Sequence, residues 1–218
     1  MKKITFLGFL IVLLPAMLFA QEKIEAPVWN VGDKWVFDRE EPMEVIGCDA
    51  KWYSLKFSGG IFPKDASGIA ILERSTLNVK YMLEKEQRKE YKGLRKRILN
   101  FPLTLGKQWK DMCQMDIKSY VGHTVAVEYT ETYRIFEEEE IEVGMGKLKA
   151  IKLEYKLESS GRGILGWTPQ GESKAWYWYS PKVKNFVKCQ YEKAYSEAQF
   201  QQTGLRENWK LVSYELKK

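Results

Sequence analysis

The stretch "IKLEYKLE" (151–158) constrains this chain more than any other. Ile151, Leu153, Tyr155 and Leu157 fall on one parity, and Lys152, Glu154, Lys156 and Glu158 on the other. Side chains of a β-strand alternate between faces, so this is a strand with one dry and one wet side. One-sided burial is a property of antiparallel sheets, because parallel strands are covered on both faces. The same alternation runs through "TVAVEYTETYRIF" (124–136) and "LVSYEL" (211–216). "WVFDRE" (35–40), "WYSLKF" (52–57) and "IAILE" (69–73) read as strands on aromatic and β-branched content. "FSGGIFPKDASG" (57–68), "GMG" (144–146) and "SSGRG" (159–163) break the runs. In "LNVKYMLEKEQRKEY" (77–91), strand spacing collects Val79, Tyr81 and Leu83, whereas helical spacing collects only Leu77 and Tyr81, so strand is expected. "EKAYSEAQFQQTG" (192–204) fits a short helix or a frayed strand. The expected fold is mainly β with little helix: a large curved antiparallel sheet, either a half-barrel or two packed sheets.

One strand departs from one-sidedness. In "SKAWYWYSPKVKNF" (173–186), Trp176 and Trp178 share one face and Tyr177 and Tyr179 the other. Such a strand needs cover on both sides. Each ring can bury ~150–250 Å², worth at most ~4–6 kcal/mol, which makes the run an organiser of the core. Pro181 ends the pairing, since it lacks a ladder donor.

Residues 1–20 have the layout of a secretory signal peptide: Lys2 and Lys3, an apolar run from Ile4 to Leu14, then Pro15 and Ala20. The apolar run is shorter than the ~20 residues a bilayer span needs. Gln21 follows the expected cut, where a lipid-anchored protein would carry Cys. The expectation is a single exported β domain over 21–218, periplasmic or secreted, with no transmembrane segment after cleavage. The net charge of +6 is spread over interleaved acids and bases, so no nucleic-acid arm is present. The basic cluster "KEQRKEYKGLRKR" (85–97) reads as a solvated strand pair and turn. Cys48, Cys113 and Cys189 allow at most one internal bridge, and the spacing does not choose the pair.

An internal echo links "PVWNVGDKW" (27–35) and "FPLTLGKQW" (101–109), each running from proline to Gly-x-x-Trp. Glycine suits the tight turn before a strand, and the Trp three positions later can plug the interior. The echo fits two quasi-repeat halves near 27–93 and 94–218.

"WNVGDKWVF", "FPLTLGKQW", "IEVGMGKLKAIKLEYK" and "WYWYSPKVKNFVKCQYE" occur in this order. Together they resemble exported bacterial domains of unknown function. Those domains have a G-D-x-W start, an F-P-L-x-x-G-x-x-W middle, a V-x-x-G hairpin and a closing W-Y-x-P strand. The resemblance spans most of 27–192. Gly144-Met145-Gly146 stands where a Pro-Ala-Gly type turn is common, and the tail after Tyr191 lies outside it. The resemblance implies a curved sheet or half-barrel, similar in style to periplasmic lipoprotein carriers, and no catalytic residues.

Catalytic and metal chemistry find little footing. His123 is the only histidine, and "VGHTV" carries no nucleophile signature. A zinc site needs three or four suitable ligands. The consecutive acids in "FEEEEIEV" (136–143) lack the Gly and Asn that let a loop wrap calcium, and read as a charged strand. No phosphate-cradling glycine loop or Gly-x-Ser-x-Gly elbow occurs. No catalytic residue, metal or cofactor is therefore expected.

The glycine-rich "RGILGWTPQG" (162–171) carries Ile164, Leu165 and Trp167, an apolar loop where polar residues are the rule. It either caps the core or meets a ligand. The leading expectation is a non-catalytic exported binding or envelope-assembly module, holding a lipid acyl chain or a hydrophobic peptide segment in the curved sheet. The second is a carbohydrate or cell-wall-glycan binding module that stacks sugars on Trp52, Trp167 or Trp178. A hydrolase comes third.

Overall fold

The structure, a computed structural model, describes residues 23–38, 40–58, 67–84, 87–118, 124–162, 171–193 and 208–218. Twelve strands form the described fold: β1 (Lys34–Phe37), β2 (Glu40–Cys48), β3 (Trp52–Ser58), β4 (Ser67–Glu73), β5 (Val79–Glu84), β6 (Gln87–Glu90), β7 (Gln108–Lys118), β8 (Thr124–Val143), β9 (Gly146–Arg162), β10 (Gly171–Ser180), β11 (Asn185–Lys193) and β12 (Trp209–Glu215). They make one sheet in the order β6-β5-β4-β3-β2-β1-β12-β11-β10-β9-β8-β7. Every pairing is antiparallel. The chain runs outward from β1 to one edge, crosses to the other edge, and returns until β12 docks on β1.

Most predicted strands lie where alternation puts them. "WVFDRE", however, spans the end of β1 and the start of β2. In "LVSYEL" Leu211 is buried while Val212 is exposed, next to a register shift between β1 and β12. Ile151, Leu153, Tyr155 and Leu157 of β9 are all buried, with their charged neighbours at least partly exposed. Residues 77–91 contain β5 and β6, as strand spacing predicts. Of 192–204, only the first two residues are described, as the end of β11. β8 and β9 form one long hairpin that turns at Gly144-Met145, and its register shifts between Ile135 and Glu137. The turn rests on β12: Gly144 N–H donates to Leu211 O at 3.2 Å, and a Cβ at Gly144 would meet Val212 Cα at 3.1 Å. A side chain there would have to push the β12 backbone back by a few tenths of an ångström.

The sheet is rolled so far that its edges approach without pairing. Val79 of β5 donates to Lys96 O at 3.0 Å, while Arg97 Nη2 donates to Lys110 O of β7 at 2.6 Å. Lys96 and Arg97 are adjacent, yet β5 and β7 stand ten steps apart in the strand order, about 48 Å in a flat sheet. A roll of twelve strands is wider than the roughly eight whose interior side chains alone can fill. The crossing segment 91–107 supplies filler through Leu94, Ile98, Leu99 and Leu103, all buried. A second run lies against it, Ile24 bridging Leu103.

Both halves of the sequence echo lead into the first strand of a meander. Gly32 and Gly106 have φ of 90° and 77°. Trp35 donates from Nε1 to Val183 O at 2.9 Å, and Trp109 to Arg97 O at 3.0 Å. Asp33, fully buried, accepts from Asn30 N–H at 2.9 Å and Lys217 N–H at 2.7 Å, tying the C-terminal tail to this turn.

The solvated reading of 85–97 holds for β6, whose four residues are exposed, and for Lys92, and fails at Leu94 and Arg95. Leu94 and Arg95 are 3% and 4% exposed. The crossing segment has to fill the roll, and that need overrides the polarity of its sequence.

Candidate functional site: a buried arginine among tyrosines

The site begins with a conflict on β8. Tyr129, Glu131, Tyr133 and Ile135 share the inward parity, and Glu131 is 1% exposed. A carboxylate in that position must find donors. Its Oε1 accepts from Tyr133 OH and Tyr155 OH, each at 2.9 Å, and from Arg95 N–H at 2.8 Å; Oε2 accepts the same N–H at 3.0 Å. Burial pushes the Glu131 pKa up, while these three bonds and the Arg95 charge pull it back without reversing it. Burial, followed by the Glu131 charge, raises Tyr133 and Tyr155 well above the ordinary phenol value. Both hydroxyls therefore stay protonated and donate.

Arg95 sits opposite with φ of 61°, a left-handed conformation that costs a non-glycine residue about 1–2 kcal/mol. The two-oxygen grip of Glu131 on its N–H holds it there. Trp109 stacks on Tyr133 at 5.3 Å and 10°, and its bond to Arg97 O fastens the segment two residues on. The guanidinium is surrounded by Tyr91, Tyr155, Tyr177 and Tyr191. Tyr177 OH and Tyr191 OH lie 3.4 Å apart. Arg95 Nε and Nη2 are buried with no hydrogen-bond partner.

Burial, then Glu131 and Asp111, pushes the nearby Cys113 thiol up to about 12, which leaves it a poor nucleophile. No disulfide joins Cys48, Cys113 or Cys189. Among the described residues no group of three His, Cys, Asp or Glu side chains could hold a metal ion. The acids of "FEEEEIEV" instead face lysines of β9: Glu137–Lys152 at 3.2 Å, Glu138–Lys149 at 3.4 Å and Glu140–Lys147 at 3.2 Å.

Ile164, Leu165 and Trp167, between β9 and β10, lie outside the described residues, as does His123. The other two candidates are not brought together: Trp52 on β3 and Trp178 on β10 are five strand steps apart. Trp52 is half-buried, edge-on to Tyr81, with Lys51 Nζ 4.9 Å over its ring. Trp178 is only 4% exposed. Lys188 Nζ lies 4.3 Å over its ring, and its Nε1 donates to Glu139. Its neighbour Trp176 carries Lys174 Nζ at 4.5 Å and Lys152 Nζ at 4.9 Å. The wet side of the aromatic strand is thus covered by charged side chains, and Trp178 offers no open face for stacking a sugar.

Two surface clefts add nothing sharper. One, of about 420 Å³, is lined by the paired Glu138, Glu140, Lys147 and Lys149; the other, of about 470 Å³, lies between Pro27, Tyr53 and Arg74.

Sequence reasoning passed over Arg95 and Glu131. Glu131 had a signal, because it is the one acid on the dry parity of "TVAVEYTETYRIF". Arg95 had none, being one base among several in "KGLRKR".

No protein-family model matches the chain, and no curated protein matches it either. Among solved structures it is similar to the hypothetical lipoprotein YmcC of Escherichia coli K12, at 6% identity over 83% of this chain and 82% of that one, TM-score 0.40. A protein of Parabacteroides distasonis described as a lipoprotein is 11% identical over 89% of this chain and 100% of its own, TM-score 0.44. A protein of Bacteroides fragilis described as exported and of YmcC-like fold is 10% identical over 88% and 99%, TM-score 0.41.

Proposed function

We propose that the protein is an exported, non-catalytic binding or envelope-assembly module that holds an acyl chain or a partner's hydrophobic segment against the concave face of its sheet. One observation carries this reading: the inner face already buries an irregular piece of chain, much of it turns and bends. Residues 91–107 lie across it, with Leu94, Ile98, Leu99 and Leu103 packed on aromatic strand residues rather than paired into the sheet. A surface that accepts its own apolar segment has the chemistry to accept another. Export rests on the signal-like residues 1–20. No helix among the described residues is long and apolar enough to cross a membrane, which says nothing about barrels.

Native mass spectrometry and solvent extraction of protein purified from the periplasm test the reading. Co-purified acyl lipid or a hydrophobic peptide supports it. Apo protein that also leaves hydrophobic dyes dark overturns it. Trp167→Ala is expected to weaken capture while leaving the unfolding midpoint unchanged; the opposite pattern would assign the 162–171 loop to stability alone.

A further inference from the structure

We propose that the Nε and Nη2 of Arg95 form a binding site for two oxygens of a carboxylate or phosphate group, the anionic end of the ligand whose apolar part the concave face receives. The inference rests on the binding reading above for the apolar part of that ligand.

The two nitrogens without partners are not an arbitrary pair. In a guanidinium, Nε–H and one N–H of Nη2 point the same way along one edge. That edge is the fork that matches paired carboxylate or phosphate oxygens. The one acid at hand is committed elsewhere: Glu131 spends both oxygens on the Arg95 N–H and adds two tyrosine hydroxyls on Oε1. Among the described residues Arg95 enters no ion pair. Arginine cannot shed its proton to escape burial as lysine can. A cation so placed calls for a counter-ion.

The surroundings fit an anion. Tyr177 and Tyr191, with hydroxyls 3.4 Å apart, lie beside the guanidinium; one donates to the other, and the second has its proton for a further oxygen. Burial keeps both in the protonated, donating form. Tyr91 and Tyr191 are half-buried and stand between the fork and solvent; entry past Tyr91 would break its hydroxyl's bond to Leu94 O at 2.7 Å. The apolar filler of segment 91–107 begins one residue before the fork, at Leu94. The tail of an amphiphile bound at the fork would therefore take the place of part of this buried filler.

Delipidated protein titrated with four probes separates the components: decanoate, decanol, acetate and inorganic phosphate, followed by calorimetry and thermal shift. Wild type is expected to bind decanoate about tenfold or more tightly than decanol, the ratio that one charge-assisted hydrogen bond supplies. Arg95→Met is expected to fold and to bind decanoate no better than decanol, with decanol affinity unchanged. Arg95→Lys keeps the charge without the fork and is expected to lose most of the preference. It also carries the comparison if the methionine variant does not fold. A decanoate preference that survives both substitutions overturns the site and leaves the binding module standing. Phosphate or acetate stabilising wild type but neither variant, with decanol inert, upholds the anion site and removes the acyl reading. Silence from all four probes overturns both.

Discussion

The two sides of β8, β9 and β10 carry charge in opposite ways. On the wet side, lysines and glutamates alternate across strands, as in Glu138–Lys149 and Lys174–Glu154 at 3.1 Å, and the tryptophans between them are capped by ammonium groups. On the dry side, Glu131 and Arg95 are, among the described residues, the buried charges near the tyrosines, and they do not pair through their side chains. Many exposed pairs contribute little each, because water screens them and holding long side chains costs entropy. One buried carboxylate contributes much, because its removal strands donors that water cannot reach. Solvent access, more than the number of charges, decides their effect here.

The strongest way to break this contrast is Glu131→Ala. It leaves Arg95 N–H, Tyr133 OH and Tyr155 OH without an acceptor, and a loss of about 3–5 kcal/mol in denaturant unfolding is expected. A loss below 1 kcal/mol would mean that the dry network is no stronger than the wet one.

Trp178→Ala probes the wet side where it is most buried. Removing a ring 4% exposed is expected to cost about 3 kcal/mol, somewhat less than a sealed core site, because its cover is flexible lysine that can collapse.

Glu131→Gln sharpens the comparison through pH. Burial holds the folded-state pKa of Glu131 above its ordinary 4.5, so between those two values the folded state carries the extra proton. Its contribution therefore makes the protein more stable on the acid side, and stability falls as pH rises from 4.5 through the folded pKa. Glutamine should remove that slope from the stability profile. A wild-type profile rising over the same window, with no change in the variant, would contradict the buried placement.

The smallest effect is expected from Lys149→Ala. Its exposed pair with Glu138 should contribute less than about 1 kcal/mol, and that little should vanish in high salt.

Much of the fold was legible because strand periodicity is a local signal. The alternation at 151–158, the strand reading of 77–91 and the Gly-x-x-Trp turns all hold, since each depends on neighbours within a few residues. The aromatic run at 176–179 told in advance that both faces need cover. It could not tell that one cover is core and the other a layer of lysines, because those side chains arrive from adjacent strands. The basic run 85–97 misled for a related reason: charge density predicts solvation only where no interior has to be filled.

The sequence alone determined the antiparallel sheet, the wet and dry parities of β8 and β9 and the tryptophans that plug it, because these follow from alternation along the chain. It did not determine the parity of β12, since a register shift against β1 turns Leu211 inward and leaves Val212 exposed. Only the tertiary structure decided that the sheet rolls until β5 and β7 share a linking segment, and that this segment carries Arg95 inside. Arg95 and Glu131 lie 36 residues apart, and nothing local to either names the other. Their meeting depends on the width of the roll. A twelve-stranded sheet leaves more interior than its own side chains fill, and the chain that crosses from edge to edge must occupy it.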